Sequence, residues 1–199
     1  MEALRQALVE AARRAYAEGL FSGTSGNLSV RADGGMLITP TSVRYEDLTP
    51  DDVVYTDLGG TVIEGSLKPS SEWRMHAEIY ARFPEIKAVV HTHSPCATAF
   101  AAAGKPIPEC LIEMRFFLGG DVPCAAYASA GTREVGLRCC EALPGRGGCL
   151  MANHGALAVG KDLDEALLRA EYIEDAAKIT LLSMPLGGPV LLPNEEETT

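Results

Sequence analysis

The residues of this chain best suited to chemistry are its histidines. His91 and His93 flank Thr92 at the end of the apolar run Ala88-Val89-Val90. Side chains alternate along a strand, so these two imidazoles leave one face about 6 to 7 Å apart, within reach of a single metal ion. His154 follows a second apolar run, Cys149-Leu150-Met151-Ala152, and precedes Gly155, where the backbone can come close to a site. An isolated H-x-H is more often a packed or exposed pair, and the third histidine tips the balance toward metal binding. Three imidazoles suit a catalytic zinc, since they leave a coordination position for water or substrate, whereas structural zinc favours cysteine. Manganese, iron and cobalt accept the same ligands. The fourth histidine, His76, lies four residues after Glu72 on one helix face. A half-buried helix histidine is the simpler reading of it; support for the metal site is the other.

Holding these groups requires strands that end near helix starts, and the sequence supplies them. Leu4, Leu8, Ala12 and Tyr16 recur every four residues, predicting a first helix that ends near Gly19. A loop rich in small and hydroxyl residues then leads into a strand at Leu28 and Val30, with Met36–Thr39 as its hairpin partner after Asp33-Gly34-Gly35 and Val53–Thr56 as a third strand. Ser70-Ser71 opens a helix over Glu72 to Arg82, closed by Pro84. Ala88 to His93 reads as a buried strand, and Ser94-Pro95 starts an alanine-rich helix that runs to Gly104. Thr132 caps a helix to about Leu143, Cys149–Ala152 forms a strand, and Asp164 caps a long helix to about Leu182. From about residue 185 a loose acidic tail is expected. Neither a repeat nor a linker divides residues 1–199, so the expectation is one α/β domain with a largely antiparallel central sheet between helical layers.

Composition sets outer bounds. The 199 residues can bury one core, and 47% hydrophobic with 22% charged residues is ordinary for a globular chain. A formal charge of −10 without a Lys/Arg cluster argues against nucleic acid. No apolar stretch reaches the roughly 18 residues of a membrane span, and the first segment reads as an amphipathic helix, so a cytoplasmic protein is expected. The six cysteines, at 96, 110, 124, 139, 140 and 149, form no C-x-x-C pair and read as reduced thiols.

In chain order, GTSGNLSVR, GGMLITPTSV, PSSEWRMHAEIYARFP, AVVHTHSP, YASAGTRE and NHGAL together resemble the class II aldolase and epimerase family, from about residue 20 to 183. The resemblance implies a phosphate site built from Gly26, Asn27, Thr41, Ser42, Ser70 and Ser71. It also implies a zinc and acid/base set of Glu72, His91, His93 and His154. Residue chemistry agrees: Ser70 and Ser71 offer hydroxyls and helix-start N–H groups to a dianion, Gly26 allows close approach, and Asn27 supplies an amide donor. Taken singly, each of these loops also reads as an ordinary turn or cap.

The implied activity is zinc-dependent cleavage of a ketose 1-phosphate, such as L-fuculose 1-phosphate or a 5-deoxy- or 5-methylthio-pentulose 1-phosphate, to dihydroxyacetone phosphate and an aldehyde. Glu72 would ligate the metal before substrate arrives and then carry the proton of the enediolate carbon. Where fuculose-phosphate members carry a tyrosine, LIEMRFFLGG offers Glu113 or Met114, and the chain stops at PNEEETT, short of a tail bearing a second tyrosine. Glu113 with Phe116 and Phe117 would suit a less polar aldehyde end, and a solvated or interface carboxylate is the equal alternative for Glu113. A 4-epimerase, a decarboxylase and a methylthioribulose-1-phosphate dehydratase-like lyase use the same enolate logic. A structural metal module would keep the histidines without needing Glu72 or the hydroxyls. The resemblance further implies a homotetramer with sites near subunit interfaces, to which Arg133 or Glu113 contributes.

Overall fold

The computed structural model describes residues 1–193. Its centre is an eight-stranded sheet in the order β4-β3-β2-β1-β5-β8-β7-β6. The strands are β1 (Asn27–Ala32), β2 (Gly35–Ile38), β3 (Val54–Asp57), β4 (Val62–Glu64), β5 (Ala88–Thr92), β6 (Cys124–Ala125), β7 (Gly148–Met151) and β8 (Gly155–Gly160). All neighbours are antiparallel except β6 and β7. The expected antiparallel sheet between helical layers is therefore what the chain forms.

Alternation along the strands feeds two cores. Leu28 and Val30 of β1, Val90 of β5 and Leu150 of β7 pack with α1 (Glu2–Ala17), α3 (Pro95–Ala102) and α5 (Leu163–Ser183). Val89, Cys149 and Leu157 point the other way, against α2 (Trp73–Arg82) and α4 (Arg133–Ala142). Successive residues of the central strands thus go to opposite layers, the period-two rule applied to a sheet covered on both faces. Among the described residues no helix is long and apolar enough to cross a membrane. All six cysteines are free thiols.

Several local expectations change. The helix after Ser70-Ser71 starts at Trp73, with Glu72 in the cap position, because the Glu72 side chain turns toward histidines instead of into the first turn. The long α5 is capped by Asp162 rather than Asp164: its side chain accepts a hydrogen bond from Glu165 N–H at 2.8 Å. The strand carrying His91 stops at Thr92, leaving His93 just beyond it. β4, β6 and β8 were not expected. β4 is exposed throughout, β6 has two residues, and β8 reads Gly-Ala-Leu-Ala-Val-Gly, four of six residues being Gly or Ala, and becomes a strand through burial between β5 and β7. The described end of the expected loose tail is tied back: Leu192 N–H donates to Glu109 O at 3.0 Å, and Arg115 donates to Pro193 O at 2.9 Å. Its acidic residues 195–197 lie outside the described residues.

Candidate active site

Two periodicities aim polar side chains into one place beneath the α2 and α4 layer. On β1 and β5, Asn27 pairs with His91 and Ser29 with Val89, so Asn27, Ser29 and His91 share the face that Val89 gives to this core. On α2 and its cap, Glu72, His76 and Tyr80 recur every four residues and form one stripe. His154 enters from the turn between β7 and β8, where Gly155 is required: a Cβ there would press on Thr92 O and lie 3.2 Å from His91 Cε1.

The result is a cluster in which one ligand atom from each of Glu72, His91, His93 and His154 lies within 4.8 Å of every other. The hydrogen bonds reveal what it lacks. His91 Nδ1 is 2.9 Å from Ala156 O, and a carbonyl only accepts, so Nδ1 carries the ring proton. In the form that can bind metal, His91 then presents an Nε2 lone pair, which faces His93 Nε2 at 2.9 Å and Glu72 Oε2 at 3.1 Å. Glu72 Oε1 is buried 3.2 Å from His154 Nε2, yet it makes no hydrogen bond. Electron pairs converging in this way call for a shared cation, and three imidazoles with a carboxylate are a donor set that fits a divalent metal.

Electrostatics point the same way. Burial would raise the Glu72 carboxyl, but the hydrogen bond and charge of His91, then His154 and the Asn27 amide, hold it well below the usual carboxylate range. His93 is pushed down to about 4, by burial first and then by His91 and His154, against the pull of Glu72. His154 is lowered by burial and by His91, again against Glu72. Neutral His93 and His154 beside an ionised carboxylate suit metal binding.

His76 is pushed down to about 3, by burial first and then by His91, against Glu72. An unfolded imidazole titrates near 6.5, so between 6.5 and 3 the unfolded chain binds the extra proton. This stability is complete above pH 6.5 and is lost as pH falls through that window. Urea unfolding of metal-free protein should show a loss of about 2 kcal/mol from this residue between pH 7 and 5. His76→Gln should shrink the pH dependence, and an unchanged slope in the variant would refute this source.

The expected phosphate segments lie side by side. Thr39 N–H donates to Leu28 O at 3.0 Å, Thr41 N–H to Lys68 O at 3.1 Å, and Ser70 N–H to Thr39 O at 3.0 Å. Residues 26–28, 39–41 and 68–71 are thereby laced together, beside the cluster that Asn27 and Glu72 join. Gly26 has φ +82, and a Cβ on it would fall 2.9 Å from His91 O. Ser42 takes a left-handed φ of 62, unusual for a residue with a side chain and a reason to suspect a functional turn. The Asn27 amide, read from sequence as a donor to phosphate, gives one N–H to Glu72 Oε2 at 3.0 Å. Glu113 stands apart, at the head of the single π-helical turn Met114–Leu118, and no hydrogen bond or ion pair joins it to the cluster among the described residues. Arg133, at the start of α4, pairs with Glu78 on α2. Sequence reasoning missed Ser29 and Tyr80; their spacing against Asn27 and His76 was the available signal.

The chain is similar to known proteins over most of its length. A family model described as the class II aldolase and adducin N-terminal domain matches residues 6–181. A 5-methylthioribulose-1-phosphate/5-deoxyribulose-1-phosphate aldolase of Rhodospirillum rubrum is 42% identical over 194 residues, covering 98% of this chain and 87% of that protein. An L-fuculose phosphate aldolase of Escherichia coli (strain K12) is 40% identical over 179 residues, covering 90% and 83%. Among solved structures, an L-fuculose 1-phosphate aldolase superposes with a TM-score of 0.92 at 38% identity, covering 96% of this chain and 91% of that one. The L-fuculose-1-phosphate aldolase of Thermus thermophilus gives 0.82 at 33% identity, covering 94% and 98%.

Proposed function

The chain belongs to the class II aldolase and adducin N-terminal domain family, and from that premise we propose that it is an aldolase cleaving a ketose 1-phosphate to dihydroxyacetone phosphate and an aldehyde. The observation that carries this reading is a buried carboxylate, Glu72, set among three convergent imidazoles and beside three laced segments, two of which bear hydroxyls. A structural metal module would need the histidines alone.

Cleavage breaks the C3–C4 bond of the ketose as the C4 hydroxyl gives its proton to a base on the aldehyde side and becomes the aldehyde carbonyl, and the electron pair left on C3 is delocalised onto the C2 oxygen as an enediolate. Zinc, held by His91, His93 and His154, is the ion we infer, and when bound it supplies Lewis-acid stabilisation of that charge in place of a Schiff-base lysine. Glu72 returns a proton to C3 in cleavage and removes it in condensation, with Asn27 donating to one carboxylate oxygen to fix its direction. Gly26, Asn27, Thr41, Ser42, Ser70 and Ser71 take the phosphate through N–H and hydroxyl donors. Binding of a distant phosphate orients C3 against Glu72, so remote binding energy serves the reacting carbon.

Loss of one donor to a dianion should therefore weaken binding more than chemistry. Ser71→Ala is expected to raise KM about tenfold while kcat stays within about threefold. Steady-state kinetics would show the reverse pattern if Ser71 acted in the chemical step.

For the aldehyde portion we infer an apolar end, as in 5-methylthio- or 5-deoxy-pentulose 1-phosphates. The names of the Rhodospirillum relative and of a 5-deoxy-D-ribulose 1-phosphate aldolase of Bacillus thuringiensis, 38% identical, support it. Phe116 is 75% exposed beside Glu113, and assembly into the inferred homotetramer would cover it and bring Glu113 to the aldehyde side of a neighbouring site. Assay of 5-methylthioribulose, 5-deoxyribulose and fuculose 1-phosphates for dihydroxyacetone phosphate release tests the proposal. Release from at least one of them by metal-replete protein supports it; loss of water in place of an aldehyde would replace it with a dehydratase.

A further inference from the structure

Behind Glu72 runs a file of buried polar groups. Asn27 Nδ2 is 3.0 Å from Glu72 Oε2, His76 Nε2 is 2.5 Å from Asn27 Oδ1, Ser29 Oγ is 2.6 Å from His76 Nδ1, and Tyr80 OH is 2.8 Å from Ser29 Oγ. Asn27 is 4% exposed, Ser29 and His76 are 0%, and Tyr80 is 1%. The four partners are therefore cut off from bulk water. β1 supplies Asn27 and Ser29 at spacing two; α2 supplies His76 and Tyr80 at spacing four.

The direction of every bond follows from one end. Ionised Glu72 only accepts, so Asn27 must turn its NH2 to Oε2 and its carbonyl to His76. His76 then carries its proton on Nε2 and donates to Asn27 Oδ1. Its Nδ1 is left as a lone pair and accepts from the Ser29 hydroxyl. With its proton used, Ser29 offers only oxygen to Tyr80, whose hydroxyl donates. The file thus has one polarity from Tyr80 to Glu72. Valine or leucine would fill these positions without any polar group to satisfy, yet four donors stand in register and end on the carboxylate that moves the proton.

We propose that Ser29 and His76 are positioning residues: Ser29 fixes the Nε2–H tautomer of His76, and that tautomer locks the Asn27 amide in the orientation that holds Glu72 for proton transfer. The proposal rests on the reading of Glu72 as proton carrier. Without the Ser29 hydroxyl, His76 is free to move its proton to Nδ1. Its Nε2 lone pair would then face Asn27 Oδ1, and the amide would have to rotate, turning its carbonyl toward a carboxylate.

The test combines a spectrum with kinetics. In 15N-histidine-labelled protein, with and without metal, the ring nitrogens of His76 should report a single form with protonated Nε2 and bare Nδ1. Ser29→Ala should mix the two tautomers and lower kcat about tenfold or more, with KM held within about threefold. His76→Gln, whose amide can still donate to Asn27, should retain at least several-fold more turnover than His76→Leu. Tyr80→Phe, at the far end, leaves the Ser29 donation in place and should keep kcat within about threefold. A wild-type His76 protonated on Nδ1 would overturn the proposal, as would a Ser29→Ala protein with unchanged kcat or with kcat and KM moved equally. Should His76→Leu fail to fold, the tautomer spectrum and Ser29→Ala still decide. Failure of the underlying reading looks different: Glu72→Gln would keep its turnover, whatever the tautomer of His76.

Discussion

Glu72→Gln is expected to lower kcat for ketose phosphate cleavage by about 10³-fold or more, the scale of a lost general acid/base. Glutamine keeps the shape of the side chain, so metal content and ketose phosphate binding should change little. What is lost is the ability to give a proton to C3 or take one from it at neutral pH. Near-wild-type metal content and ketose phosphate binding in the variant would exclude a loss of fold as the cause of a null result. Glu113→Gln is the comparison that separates reaction types. Under the aldolase reading it affects the aldehyde side and costs less than the first change. Abolished turnover in Glu113→Gln beside retained turnover in Glu72→Gln, with water as the leaving product, would favour a dehydratase. Product analysis of both variants by mass spectrometry decides between them.

The second large effect concerns the metal. His93→Ala should leave the sheet intact, because His93 lies past the end of β5, but it removes one of three imidazoles from a cluster whose ligand atoms fall within 4.8 Å of each other. Bound metal per chain should fall sharply, and turnover by roughly 10³-fold or more, since metal stabilisation of a developing oxyanion is worth several kcal/mol. Stripping the wild type with a chelator should give the same loss, reversed by adding a divalent ion. The variant should regain little under the same treatment. Full metal content and full activity in His93→Ala, measured by elemental analysis and the cleavage assay, would exclude His93 as a ligand.

The histidines were legible because strand alternation and a His-Gly turn are short-range patterns. Their convergence was not, since it depends on β8 pairing with β5 and bringing the His154 turn beside His91, and the small residues of β8 give no strand signal of their own. Glu72 was found, but its place in the cap rather than inside the helix reflects a tertiary pull from His91 and His154. His76 was noticed only as a helix neighbour of Glu72. Its partners on β1 are 49 and 47 positions away in the chain, and only the docking of α2 on β1 puts Asn27 and Ser29 against it. Asn27 shows the same limit from the other side: residue type indicated a donor, while the fold decided that one of its N–H groups serves a carboxylate. The layered antiparallel fold was readable at coarse grain, because both faces of the sheet are apolar and the covering helices are amphipathic.

The most direct test of Glu72 as the proton carrier needs no aldehyde and no knowledge of the natural ketose. Dihydroxyacetone phosphate incubated in D2O with metal-replete protein should take up deuterium at its hydroxymethyl carbon, the carbon that becomes C3 on condensation. Wild type should catalyse this exchange, and Glu72→Gln with the same metal content should not. Exchange proceeding in Glu72→Gln at the wild-type rate would contradict the assignment of the proton to this carboxylate.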